Sequence, residues 1–216
     1  VTPTTSATIF VVDDDPSVRK SLARVVRSAG YPVEVFASAR EFLAREPFEG
    51  PCCLVLDVRM PDFTGLELQQ VLTSSNPRTP IVFITGHGDI AMGVEAMKAG
   101  AVDFLTKPFH VTSLLDAIER AVAKHAKDLS EDARTADVLE RVRRLTAREI
   151  EVLALVVTGM LNKQIAADLG IGEKTVKVHR ARVMEKMRAG SVAELVRLAD
   201  RAGAIVPKSA HGPDDP

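Results

Sequence analysis

The sequence predicts an α/β domain followed by an all-α domain: a doubly wound five-stranded parallel sheet, then four helices. Three observations carry this. Short apolar runs alternate with helical patterns through the first 120 residues, and beyond residue 145 only helical patterns remain. The charge divides in the same way. Residues 1–120 hold 11 Lys and Arg against 15 Asp and Glu, whereas residues 141–208 hold 14 against 7. An acidic half can hold a cation, and a basic half suits a polyanion.

Strands are expected at 9–12, 33–36, 54–56, 81–84 and 102–105, with helices at 17–29, 39–45, 66–74, 90–99 and from 112 onward. Five βα units imply a parallel sheet covered on both faces. Strands buried on both sides read as near-continuous apolar runs, as these do. Gly30 and Gly100 each follow an Ala and read as left-handed C-caps. Asp13-Asp14-Asp15 precedes Pro16, so Asp14 or Asp15 can cap the first helix with Pro at its first position. Leu114, Leu115, Ile118, Val122, His125 and Leu129 carry the fifth helical stripe into the charged stretch 124–144. A helical linker is expected there, frayed around 130–136, with too short and polar a stripe to require a coiled coil.

In the second half, helices are expected at 146–158, 162–169, 174–187 and 192–202. Thr146 with Glu149 reads as a capping box, and Ser191 with Glu194 repeats it. Gly159, Gly170 and Gly203 mark stops. The helices at 162–169 and 174–187, joined by Gly170-Ile171-Gly172, read as a helix-turn-helix. Val176, Val183 and Met187 should face the core, leaving Lys174, Lys177, Val178, Ala181 and Arg182 outward. Cations and methyl groups on one helix face suit a DNA major groove, although a solvated amphipathic helix has the same look. Residues 1–7 and 207–216 are polar or Pro-rich and expected to be disordered.

Composition excludes several classes. The two cysteines, Cys52 and Cys53, are adjacent in a strand and cannot build a disulfide framework; they read as small core residues in a reducing compartment. No apolar stretch approaches the roughly 20 residues of a membrane span, and no signal-peptide pattern opens the chain. A cytoplasmic protein without membrane contact is expected.

The chemistry gathers at strand ends. Asp13 and Asp14 follow the first strand, Asp57 the third, Thr85 the fourth, and Lys107-Pro108 the fifth. In an open parallel sheet these ends share one edge, where ligands bind. Clustered carboxylates suit Mg²⁺ (or Mn²⁺), which prefers oxygen ligands and keeps several waters. A hydroxyl and an ammonium beside them suit a phosphoryl group. Taken singly, Thr85 is an ordinary loop residue and Lys107-Pro108 a turn, often a cis one.

This set, with Met60-Pro61-Asp62-Phe63-Thr64-Gly65, resembles the flavodoxin-like receiver domain of bacterial two-component response regulators, over about residues 7–125. The resemblance implies that Asp57 accepts a phosphoryl group from a sensor histidine kinase. It implies that Asp14 and Asp57 coordinate Mg²⁺ with the Arg59 carbonyl, and Asp13 through water. Thr85 and Lys107 would contact the phosphoryl group. Thr85 and Phe104 would be the switch pair, Phe104 acting sterically because it lacks the Tyr hydroxyl. Arg59 and His87 would flank the site; His87 reads equally well as an exposed loop residue. Leu145–Glu149, Gly159, 162–166 and 175–180 resemble a LuxR-type DNA-binding domain over about 143–205, and the two halves together resemble the NarL/FixJ type. That resemblance implies base contacts by Lys177, Val178 and Arg182, and phosphate contacts by Thr146, Lys163, Thr175 and His179, with Lys174 also on the DNA-binding face. Arg180, where several relatives have an apolar residue, would pack its stem and reach a phosphate with its head. The last helix would be the dimer contact on DNA.

The domains are therefore expected at 7–125, 126–142 (linker) and 143–206. The expected function is transcription regulation, in which phosphorylation promotes homodimerisation and binding to double-stranded DNA, with RNA polymerase as a further partner. No enzyme activity is expected beyond phosphotransfer and autodephosphorylation. A phosphatase using Asp57 as nucleophile would want a carboxylate two residues on, where Arg59 stands. A phosphorylation-independent DNA-binding protein with a degenerate receiver is opposed by the complete acidic set.

Overall fold

The computed structural model describes residues 7–61, 63–75, 78–86 and 90–203. His87, Asp62 and the two termini expected to be disordered lie outside the described residues, apart from Ala7, which is buried. The chain divides into two compact units, 1–130 and 131–216.

In the first unit, β1 (Thr8–Val12) pairs in parallel with β2 (Val33–Phe36) and β3 (Cys52–Asp57). β3 pairs with β4 (Ile81–Thr85), and β4 with β5 (Asp103–Thr106), giving the order β2-β1-β3-β4-β5. β3 includes Cys52 and Cys53, as their expected place in a strand requires, and they pair with Thr8 and Ile9. Free thiols pack as small apolar groups, and these two are buried and unbridged. β5 starts one residue late, but the Val102 N–H still donates to the Ile81 carbonyl at 2.8 Å.

Side chains alternate across the strands and feed two layers. Phe10, Val12, Leu54, Leu56 and Phe83 face one side, against Phe42 of α2 (Ala39–Leu43), Leu68 of α3 (Gly65–Ser75) and Ala96 of α4 (Ile90–Lys98). Ile9, Val11, Cys53, Val55, Val82 and Ile84 face the other, against Leu22 and Val26 of α1 (Pro16–Ser28) and Leu114 and Ile118 of α5 (Val111–Arg143). Each fully buried side chain of this size contributes about 1.5–3 kcal/mol relative to exposure. α2 has only five residues, too few to be stable alone. Phe42 holds it down, edge-on to Phe36 at 5.4 Å and Phe10 at 5.7 Å between ring centroids.

α5 is continuous to Arg143, so the expected fraying around 130–136 is absent. Local pairs support it: the Thr135 hydroxyl donates to the Glu131 carbonyl, and Arg141 pairs with Asp137 one turn earlier. Its end joins the second unit, where Val138 is buried with Leu145.

That unit adds α6 (Ala147–Val157), α7 (Asn162–Leu169), α8 (Glu173–Met187) and α9 (Val192–Arg201). Val152, Leu153, Val156, Ile165, Val176, Val183, Met187, Leu195 and Ala199 make its core. Gly170 ends α7 at φ 64°, the left-handed turn between the two helices. The Thr146–Glu149 capping box is complete. At α9 the pattern is half met: Ser191 accepts from the Glu194 N–H at 3.2 Å, but the Glu194 carboxylate reaches the Gly190 N–H instead of that of Ser191.

Candidate functional site

β1 and β3 are neighbours, yet the chain leaves β1 for β2 on one side and later enters β3 on the other. The crevice beyond their carboxyl ends is where the chain direction reverses and where such sheets bind ligands. Asp13, buried, stands at the end of β1, and Asp57, buried, is the last residue of β3. Lys107 follows β5, and its Nζ donates to Asp13 Oδ2 and to Asp57 Oδ1, each at 2.8 Å. The Lys107-Pro108 peptide is cis, and the Lys107 N–H donates to the Thr85 carbonyl at 2.7 Å. Thr85 is fully buried at the end of β4.

The other carboxylate oxygens are held by backbone. Asp13 Oδ1 accepts from the Asp15 N–H at 2.9 Å, and Asp57 Oδ2 from the Arg59 N–H at 2.8 Å. Asp15 is the α1 N-cap, accepting from the N–H groups of Ser17 and Val18, with Pro16 at the first position. Burial pushes the Asp57 carboxyl above its ordinary range, and the Lys107 ammonium pulls against that. Burial also works against the Lys107 charge, but its bonds to Asp13 and Asp57 outweigh this and raise its pKa.

Asp14 is exposed, and among the described residues no three His, Cys, Asp or Glu side chains converge as a metal site. The donor set still fits a hard cation. Asp13, Asp14 and Asp57 offer carboxylate oxygens and Arg59 a carbonyl, the chemistry Mg²⁺ takes alongside its waters. Phe104 is half-buried, its ring centroid 6.2 Å from that of Phe83. It lies beside Gly93 of α4, where a Cβ would come within 3.4 Å of the ring.

Two positioning residues carry no role in the sequence reading. Arg19 of α1 donates from Nη1 to the Asp13 carbonyl at 2.6 Å. Gly65 sits so close that a Cβ there would lie 2.4 Å from the Asp57 carbonyl oxygen. Thr64 and Glu67 also form a capping box over α3, with the Thr64 N–H donating to Glu67 at 2.7 Å and the Glu67 N–H to Thr64 Oγ1 at 3.2 Å. The Thr-x-x-Glu spacing was there to be read.

In the second unit, Lys174, Thr175, Lys177, Val178, Ala181 and Arg182 are all exposed on α8, opposite its buried face. Val178, 46% exposed, is an apolar side chain left in solvent beside cations. Lys177 lies 3.5 Å from Glu173 one turn earlier. Thr146 and Lys163 are exposed at the starts of α6 and α7. His179 is half-buried, and its Nδ1 has no hydrogen-bond partner among the described residues. Arg180 differs from the expectation: its Nη1 donates to Asn162 Oδ1 at 3.0 Å, tying α8 to the start of α7.

Comparison with known proteins agrees with this geometry. Residues 9–119 match the family described as response regulator receiver domain, and residues 143–199 that described as bacterial regulatory proteins, luxR family. The chain is 48% identical over 199 residues to nodulation protein W of Bradyrhizobium diazoefficiens, covering 92% of this chain and 88% of that protein. It is 48% identical over 200 residues to the transcriptional regulatory protein FixJ of Rhizobium meliloti, covering 92% and 98%. Among solved structures, the response regulator StyR superposes with a TM-score of 0.84 at 49% identity, covering 91% of this chain and all of that one. The chain belongs to the response regulators that join a receiver domain to a LuxR-type DNA-binding domain, and so to the phosphorylation-dependent regulators of transcription.

Proposed function

We propose that Asp57 is the phosphoacceptor of this regulator. The carrying observation is the Lys107 ammonium held 2.8 Å from both Asp13 and Asp57 at the carboxyl edge of the sheet. An Asp57 carboxylate oxygen attacks the phosphorus of a phosphohistidine on the sensor kinase. A P–O bond forms, the P–N bond breaks, and its electron pair leaves with the imidazole. Asp14, Asp57 and the Arg59 carbonyl, with Asp13 acting through water, would hold Mg²⁺, which would supply charge neutralisation at the phosphoryl oxygens. Lys107 moves its charge to a phosphoryl oxygen, and Thr85 supplies a hydroxyl donor. Water then attacks the phosphorus, the P–O bond to Asp57 breaks, and inorganic phosphate and a proton leave with the carboxylate restored, the autodephosphorylation that resets the switch.

A new dianion draws in Thr85, and Phe104 follows into the space beside Gly93. The receivers then pair, and two copies of α8 engage a two-fold site on cytoplasmic DNA beside RNA polymerase. Pairing makes the second half-site contact intramolecular, so weak affinities multiply. The functional domains run 7–125 and 143–206, joined by 126–142.

The test is to incubate wild type and Asp57→Asn with acetyl phosphate and Mg²⁺, measuring phosphorylation and mass in solution together. Phosphorylation and doubling of mass in the wild type alone is the expected outcome. Labelling of Asp57→Asn to the same extent would remove Asp57 from the role. Phosphorylation without a change of mass would end the dimerisation step.

A further inference from the structure

The end of α5 and helix α9 leave a cleft of about 380 Å³ between them, within the second unit. Its charged walls are Arg134, Asp137 and Arg141 on one side and Glu194, Arg197 and Arg201 on the other, over Val138 and Leu198. Four guanidiniums face two carboxylates, and both carboxylates are already engaged. Asp137 pairs with Arg141, and Glu194 accepts the Gly190 N–H at 2.8 Å. Arg141 also donates to the Met187 carbonyl at 3.0 Å, while its Nε is buried without a partner. Arg134, Arg197 and Arg201 make no hydrogen bond or ion pair among the described residues.

The cleft is separate from the DNA-reading face. α9 packs on α6 and α8 through Leu195 and Ala199, in the same core that takes Val176, Val183 and Met187 of α8. The cleft therefore lies on the core side of α8, at its C-terminal end, where Arg141 meets the Met187 carbonyl. Lys174, Lys177, Val178 and Arg182 point the other way. Part of the positive charge of the basic half is thus placed where a helix in the major groove does not use it.

Unpaired guanidiniums are forks of N–H donors whose geometry matches phosphate or carboxylate oxygens. The volume falls within the roughly 300–1,000 Å³ usual for small-ligand sites. We propose that this cleft binds a small polyanion carrying two or more phosphate or carboxylate groups, at a site distinct from the recognition helix. The inference stands apart from the role assigned to Asp57.

The test is titration calorimetry on the full chain, without Mg²⁺ and at constant ionic strength, with inorganic pyrophosphate and with citrate in turn. Saturable uptake of at least one, at one site per chain, is expected; the tighter binder tells phosphate from carboxylate. Arg197→Gln/Arg201→Gln weakens it by about tenfold or more, as for lost charged hydrogen bonds. Lys177→Gln/Arg182→Gln leaves it unchanged. Arg141 is left in place because it also holds the Met187 carbonyl, and the thermal unfolding of each variant reports its fold. The proposal is overturned if neither anion saturates, or if both double variants lose uptake equally. It is also overturned if anion uptake is absent and only the mass in solution falls in Arg197→Gln/Arg201→Gln, which assigns the cleft to a second copy of the chain.

Discussion

At the residue scale, Asp57 is held in a place that disfavours its own charge. Burial raises its carboxyl pKa, and Lys107 only partly offsets this. A carboxyl whose folded pKa exceeds the unfolded one supports folding at low pH and loses that support as pH rises through the folded value. At neutral pH the ionised Asp57 is therefore a net cost. Asp57→Asn should leave the first unit as stable as wild type or more so at pH 7.5, because Asp13 still pairs with Lys107. The gain should vanish as pH falls into the carboxylate range. Urea unfolding at both ends of that range measures it, and a loss above about 1 kcal/mol at pH 7.5, the typical size of a net hydrogen bond, would refute the reading. Gly65 is the opposite case, a residue with no charge and no freedom. The Cβ of Gly65→Ala would meet the backbone of Asp57 and Val58, which no rotamer can relieve. A loss of about 1–3 kcal/mol, the usual size of overpacking, and slower phosphorylation by acetyl phosphate should appear together. The gathering of Asp13, Asp57, Thr85 and Lys107 at the strand ends was legible because charge and strand ends are sequence features. Gly65 stood in the quoted motif without a role, and Arg19 in no motif, because neither a close approach to a backbone atom nor a hydrogen bond to one is marked in a single sequence.

At the element scale, periodicity marked every strand and helix to within a few residues, since burial on two faces or one stripe dictates composition. It failed where tertiary pairing decides. Helix α5 persists through a polar stretch held by its own side chains and by Val138. His125 reads in sequence as one more member of the α5 stripe. In the structure it is buried, and its Nδ1 accepts the Cys52 N–H at 3.0 Å, fastening α5 to the start of β3. An accepting Nδ1 requires the ring proton on Nε2, and a second proton would set N–H against N–H. Burial is the main cause that lowers its pKa from 6.5. With the folded pKa below the unfolded one, the unfolded chain binds the extra proton first. Stability of the first unit should therefore be flat above the ordinary imidazole range and decline as pH falls through 6.5. His125→Gln should remove that slope while lowering stability at pH 7.5. Denaturant midpoints between pH 7.5 and 5.5 test this, and an unchanged slope in the variant would assign it to other groups.

At the scale of the whole molecule, the charge division separates the two tasks. Residues 1–120 carry a net −4 and residues 141–208 a net +7, so phosphorylation adds negative charge to the unit that is already acidic. On the proposed function, the basic unit finds DNA through its field and then reads it through α8. These are separable contributions. A phosphate contact releases counterions and is blind to sequence, whereas a base contact discriminates. Lys163 is exposed at the start of α7 and Lys177 on the outward face of α8. Lys163→Ala should weaken binding to specific and random duplexes alike and reduce the slope of log affinity against log salt by about one. Lys177→Ala should cost about 1–3 kcal/mol on the specific site alone. Its Glu173 partner at 3.5 Å is an exposed pair and holds it only weakly. Fluorescence anisotropy across a salt series, on one operator and one scrambled duplex, separates the two variants. If Lys177→Ala behaved like Lys163→Ala, α8 would be docked on the backbone, and the reading of sequence would have to pass to Val178, Arg182 or the shape of the duplex.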